Sequence, residues 1–262
     1  LAIENYKYSF DKAEKNILPF NSETIGSLYT SLMNSLIRDF YKGQINYKEL
    51  LITEEFYIDK NIAGCFAENS NSSTLEKRKV KRHKGIYSHC FFMGIHSSSE
   101  FASLIPRGNF YRKYGMGIDV SSPPDNFDVP EIDPKKSQRE IIETLTSSGA
   151  CYECHQIINP PGFALHIYDA KGRFRMNEFD VAIDGSGTIA AWDNFAFKDY
   201  FELANKVAEQ DSPYKALIDA LYEFYFARKI NATQLNKAYD LFKNENYQLK
   251  PLILGLFLLE EL

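Results

Sequence analysis

Apolar positions recur at helical spacing along much of this chain. Leu28, Leu32, Leu36 and Phe40 lie four apart within residues 22–42, with Ser22 and Glu23 at the head, which predicts an amphipathic helix. Phe56-Tyr57-Ile58-Asp59 breaks that period and reads as a short strand or an extended lead into a turn. Ser137 is placed to cap a helix running to about Thr146, with Ile141, Ile142 and Leu145 on its inner face.

The last third carries the signal most densely. A helix from Phe197 to Ala208 sets Leu203 and Val207 one turn apart. Ser212-Pro213 supplies a cap and a first-turn proline for a helix that turns Leu217, Leu221, Phe224 and Tyr225 inward. Asn231 caps another, with Leu235, Ala238 and Leu241, and the run Leu252 to Leu259 predicts a buried closing helix. That run is less than half of what a bilayer crossing needs, so no membrane span is predicted.

Polar stretches separate these elements. Glu68 to Thr74 is turn-forming and leads into the basic run Lys77 to Lys84, a mobile surface loop by composition, either a docking patch for an acidic partner or a solvated face. Ser121 to Pro134, rich in Pro and Asp, reads as an extended connector and subdomain boundary. Asp184-Gly185-Ser186-Gly187 predicts the turn of a small hairpin joining Val181–Ile183 to Thr188–Ala190.

Composition changes this picture little. The 262 residues suit one large domain or two modest ones, and a net charge of -5 gives no nucleic-acid footprint. Twenty Phe and 17 Tyr beside a single Trp, Trp192, point to an aromatic-rich core or to rings that wrap a flat cofactor or line an interface. The chain begins at Leu1 without a charged-then-apolar leader, which leads us to expect a processed form or part of a longer product.

Cys151-Tyr152-Glu153-Cys154-His155 carries the chemistry. Two thiols three apart on a helical turn reach the two vinyl positions of one porphyrin edge, and the adjacent imidazole supplies the proximal iron ligand, as in covalent haem attachment. A dithiol redox site and a zinc site are the rivals. The first calls for a thioredoxin-like alternation of strands and helices, and the second for four ligands, whereas Cys65 and Cys90 are far off in sequence. Those two cysteines are either a disulfide pair or two free thiols.

From about Lys84 onward the chain resembles haem-bearing cytochrome-like proteins of planctomycete type, built from adjoining domains of unknown function. The resemblance rests on His83-Lys84-Gly85-Ile86, Ser103 to Gly108, Pro123 to Pro130, Arg139-Glu140, Cys151 to His155, Pro160 to Leu165, Tyr168 to Arg175, Ile183 to Gly187, and the final helices including Ala227-Arg228. It covers about two thirds of the chain and implies one covalent haem c outside the cytoplasm, periplasmic or at the cell surface. Two positions depart from it: Leu145 stands where the family commonly has His, and His166 where it has Glu.

Around the haem, Met176, His166 and His96 are the distal-ligand candidates, with Met93 more suited to the core. Arg173 and Arg175 are either propionate partners or surface charges, and Pro160-Pro161-Gly162 is either a rigid turn offering a carbonyl to the free imidazole nitrogen or a plain helix stop. The expected architecture is mainly α: an N-terminal helical and extended region (1–130), a haem-binding module (131–192) and a C-terminal helical bundle (193–262). One-electron transfer between redox protein partners, or within a larger extracytoplasmic complex, is the leading expectation. A haem enzyme with an open iron site, peroxidase-like, and an assembly subunit stapled by haem are the alternatives.

Overall fold

In the computed structural model, residues 22–97, 102–120, 137–178 and 180–260 are described, and among them ten α-helices and three two-stranded ribbons make a mainly α fold. Helix α1 (Ser22–Met33) buries Leu28 and Leu32 and passes into a π-helical stretch, Asn34–Tyr41, that buries Phe40. The predicted helix therefore changes pitch at Asn34. Asp39, turned inward by that stretch, accepts from the Tyr57 hydroxyl at 2.7 Å and pairs with the Lys77 ammonium at 3.1 Å. Helix α2 (Tyr47–Ile52) follows a reciprocal cap between Asn46 and Glu49.

Strand β1 (Glu55–Ile58) pairs antiparallel with β2 (Glu76–Lys79), Phe56 opposite Arg78 and Tyr57 opposite Lys77. The first half of the basic run is thus a strand and not a loop. Its charges are largely answered: Lys77 by Asp39 and Glu55, Arg78 by Glu76, and Lys79 and Lys84 by Glu54.

Helices α3 (Cys90–Ile95) and α4 (Leu104–Phe110) precede the connector at 121–136, which lies outside the described residues. Arg107 of α4 is fully buried and, among the described residues, has no carboxylate in hydrogen-bond contact. Its guanidinium donates to the carbonyl oxygens of Met93 (2.9 Å), Leu165 (3.3 Å), Tyr168 (2.5 Å) and Asp169 (2.5 Å) and to the Ser97 hydroxyl (2.7 Å). Burial pushes its pKa down to about 9. One side chain thereby ties α3 to the chain that follows the C-x-x-C-H helix.

Helix α5 (Gln138–Thr146) starts at a Ser137–Glu140 capping box, and α6 (Gly149–Ala164) carries Cys151 to His155 in its first two turns. Pro160 and Pro161 lie inside α6, so the turn expected there is absent. With no N–H on either proline, the ladder bonds to the Gln156 and Ile157 carbonyls are missing, yet tertiary packing keeps the helix running.

Ribbon β3 (Asn177–Glu178) and β4 (Val181–Ala182) is separate from ribbon β5 (Gly187–Ile189) and β6 (Phe195–Phe197). Asp184 to Gly187 therefore connects two ribbons where a hairpin turn was expected. Arg139 holds this connection open by donating to the Asp184 and Ser186 carbonyls at 3.0 and 2.9 Å.

Helices α7 (Tyr200–Val207), α8 (Ser212–Phe226), α9 (Ala232–Asn244) and α10 (Leu249–Glu260) close the molecule. Phe197 belongs to β6, because Asp199 caps α7 two residues later. The inward stripe of α8 is Tyr214, Ile218 and Tyr222, while Phe224 is 78% exposed. On α10 only Leu252, Gly255 and Leu256 are buried, and Leu254 and Leu258 face outward. One continuous core runs from Leu28 to Leu256 and draws on all three sequence segments.

Candidate functional site

Helix α6 is set in place by close approach to α4. A Cβ on Gly108 would strike the Ile158 carbonyl oxygen, and one on Gly162 would strike the Leu104 carbonyl oxygen, so only hydrogen at both positions lets the two backbones meet. A satellite cluster of Ala102, Leu104 and Phe163, with Ile142 of α5 against it, packs the same junction.

Cys151 and Cys154 are both free and partly exposed, and His155 is partly buried beside them. Arg112, in the π-helical turn Tyr111–Gly115 that continues α4, is near Cys154. Burial lowers its pKa, and the neighbouring Asp119 and Cys154 oppose that. A cavity of about 350 Å³ beside α6 is lined by His155, Tyr152, Asn159, Phe163, Thr146 and Arg139, among others, and by neither Cys151 nor Cys154. The imidazole Nδ1 lies 2.9 Å from Asn159 Oδ1, and Asn159 Nδ2 donates to Thr146 Oγ1 at 2.9 Å. Asn159 and Thr146 are both buried.

Other expected site residues are elsewhere. Arg173 pairs with Asp169 at 2.6 Å, and Arg175 pairs with Glu178 at 2.8 Å. His166 is buried, with Nε2 3.0 Å from Glu178 Oε2. Burial pushes the Glu178 carboxyl up, but His166 and Arg175 together bring it below its ordinary value. Met93 is buried in the core and Met176 is 65% exposed. His96 lies against the Phe110 ring, centroids 4.3 Å apart, and burial lowers its pKa to about 4. All four Met and all five His fall among the described residues, and of these His155 alone lines the cavity.

Cys65 and Cys90 form a disulfide in a different place, with the Cys90 sulfur 3.6 Å from His83 Nε2. Joined to each other, they are not ligands for a metal at Cys151 and Cys154. Among the described residues no three His, Cys, Asp or Glu side chains gather as a metal-holding group.

Arg139, Asn159 and Thr146 were the site residues that pattern reading passed over. Arg139 was visible only as part of a resembling stretch. Asn159 sits four residues after His155, the spacing at which helical side chains meet, and that was the signal available.

The donor set fits a covalently held porphyrin: two unjoined thiols on one helical turn, an adjacent imidazole with one nitrogen already bonded, and a partly aromatic cavity with an arginine at its wall. The fold and site together define a mainly helical domain whose C-x-x-C-H helix packs by its C-terminal half and leaves the motif partly exposed. Residues 83–178 match the model of the family PSCyt3, described as a protein of unknown function (DUF1588). The match covers less than half of the chain and includes Arg107, the C-x-x-C-H helix and His166. Neither curated proteins nor solved structures give a match. No helix among the described residues is long and apolar enough to cross a membrane.

Proposed function

We propose that this chain is a cytochrome-like protein that holds one haem c through Cys151 and Cys154, with His155 as the proximal iron ligand, and passes single electrons outside the cytoplasm. The observation that carries the reading is the state of the motif. Two free thiols and an imidazole share the first two turns of α6, and that imidazole opens on a cavity. The name of the matched family, PSCyt3, supports a cytochrome-like role.

When bound, the haem supplies an iron that cycles between ferrous and ferric states. The chain's own part is to anchor, orient and shield it. Cys151 and Cys154 fix its edge, Asn159 holds the His155 ring, Tyr152 and Phe163 line the space beside it, and Arg139, ion-paired with Glu143 and Asp184, stands at that wall.

A second reading, an iron open to small molecules, is favoured by one observation: no Met and no His other than His155 lines the cavity. Expression in an extracytoplasmic compartment with haem-attachment machinery tests both. The proposal expects the haem to stay with the chain through denaturing electrophoresis, and to be lost in Cys151→Ala/Cys154→Ala. Rapid carbon monoxide uptake by the reduced protein favours the open iron, and no uptake favours electron transfer alone. A chain that carries no haem under these conditions overturns the proposal.

A further inference from the structure

The bonds around Asn159 form a directed chain whose polarity is readable. Thr146 Oγ1 donates to the Ile142 carbonyl at 2.7 Å, so its single proton is spent and it can only accept from Asn159. Asn159 therefore turns Nδ2 toward Thr146, at 2.9 Å, and presents Oδ1 to His155. An amide oxygen is only an acceptor, so the facing Nδ1, at 2.9 Å, must carry the proton. Flipping the amide would force Thr146 to leave Ile142, and would complete two bonds where the observed arrangement completes three.

Burial adds weight to this. Asn159 is 8% and Thr146 7% exposed, so water reaches them as a substitute partner only from the cavity that both line. The chain also joins two elements, because Thr146 ends α5 and Asn159 lies on α6.

We infer that Thr146 and Asn159 are positioning residues that lock His155 in the Nδ1–H tautomer and leave Nε2 bare, in advance of any ligand. The inference rests on the haem reading only for what Nε2 then binds. A hydrogen bond worth about 1 kcal/mol biases two tautomers about fivefold, and its effect is read without cofactor. Nε2 is the nitrogen a proximal ligand would use while Nδ1 holds its orientation.

The test uses the full chain made without haem, its free thiols kept reduced, labelled with 15N and observed at pH 8, where an ordinary imidazole is neutral. Long-range proton–nitrogen correlations of the His155 ring, assigned by loss in His155→Gln, should show Nδ1 protonated and Nε2 bare. Thr146→Val should lower the ratio of the Nδ1–H to the Nε2–H form about fivefold, and Asn159→Leu should make Nε2–H the major form. Asn159→Asp should keep Nδ1–H. If Asn159→Leu does not fold, Thr146→Val, close in volume, gives the same reading. A wild-type ring protonated at Nε2, or a ratio unmoved by Thr146→Val, overturns the inference. In haem-loaded protein, Asn159→Asp should lower the reduction potential relative to wild type, which a purely structural residue would not do. An Nδ1–H ring in a chain that never takes up haem would sink the function proposed above and leave this inference standing.

Discussion

Cys65, Cys90, His83 and His89 in one region, and Cys151, Cys154 and His155 in another, are the same side chains in different surroundings. In the first region both sulfurs are joined and buried. His83 donates from Nε2 to the Gly172 carbonyl at 2.9 Å and lies among Tyr168 and Phe66. His89 accepts from the Phe91 backbone N–H at Nδ1 (3.1 Å) and donates from Nε2 to Ser31 Oγ (3.0 Å), whose own proton goes to the Tyr57 carbonyl. Burial lowers the pKa of His83 to about 4 and of His89 to about 3, so both are neutral structural groups at pH 7. In the second region the thiols are apart and partly exposed, and the imidazole borders a cavity. Enclosure decides which set is cement and which is available for chemistry.

The largest expected effect falls on the residue that links the two regions. Arg107→Met leaves the Met93, Leu165, Tyr168 and Asp169 carbonyls without their donor. Chemical denaturation should show a loss of about 3–5 kcal/mol. A loss under 1 kcal/mol would mean that water replaces the guanidinium and that the two regions are not tied through it.

Next comes the disulfide. Its 25-residue separation predicts that Cys65→Ala/Cys90→Ala costs about 3.5 kcal/mol through the freed unfolded chain. The same double substitution at Cys151 and Cys154, in haem-free protein, should change stability by about 0.5 kcal/mol or less. Equal costs at the two pairs would break the comparison.

Per pH unit and per histidine the next effect is smaller, though it accumulates as pH falls. The folded-state values of His83 and His89 are below the unfolded value of 6.5, so the unfolded chain binds more protons in the interval between. Stability is fully present above pH 6.5 and falls as pH drops toward 4, by about 1.4 kcal/mol per pH unit for each histidine. His83→Gln should take one histidine's share out of that slope in a series of urea melts. An unchanged slope would place the proton uptake elsewhere.

The smallest effect is at the C-terminal surface, where Phe224→Ser should shift stability by about 0.5 kcal/mol or less, because that ring is 78% exposed. A larger loss would restore the inward orientation that spacing predicted.

Local rules were legible and tertiary ones were not. Ser137 and Asn231 cap their helices where their side-chain chemistry predicted. On α8 the expected Leu217 and Leu221 do pack against the core, whereas Phe224 and Tyr225 are exposed, because Tyr214, Ile218 and Tyr222 also recur at helical spacing and the neighbouring helices take that stripe as the fully buried one. The Asp184–Gly187 hairpin failed because pairing partners for β4 and β5 lie outward along the chain, a choice that turn composition does not encode. Pro160-Pro161-Gly162 read as either a rigid turn or a helix stop, and it is neither, because the glycine contacts between α4 and α6 favour continuation. At the site, the thiols and imidazole were visible from spacing alone. Asn159 is legible only through its four-residue spacing from His155, and Thr146 not at all, since a bond between two helices leaves no pattern along the chain.

The most direct measurement is the intact mass of the full chain made with haem-attachment machinery, taken after denaturation. The account predicts one porphyrin's added mass on the wild type and none on Cys151→Ala/Cys154→Ala. A wild-type mass with no porphyrin added, or a loss of four hydrogens from the fully reduced mass, two for Cys65–Cys90 and two for Cys151 bonded to Cys154, would contradict it.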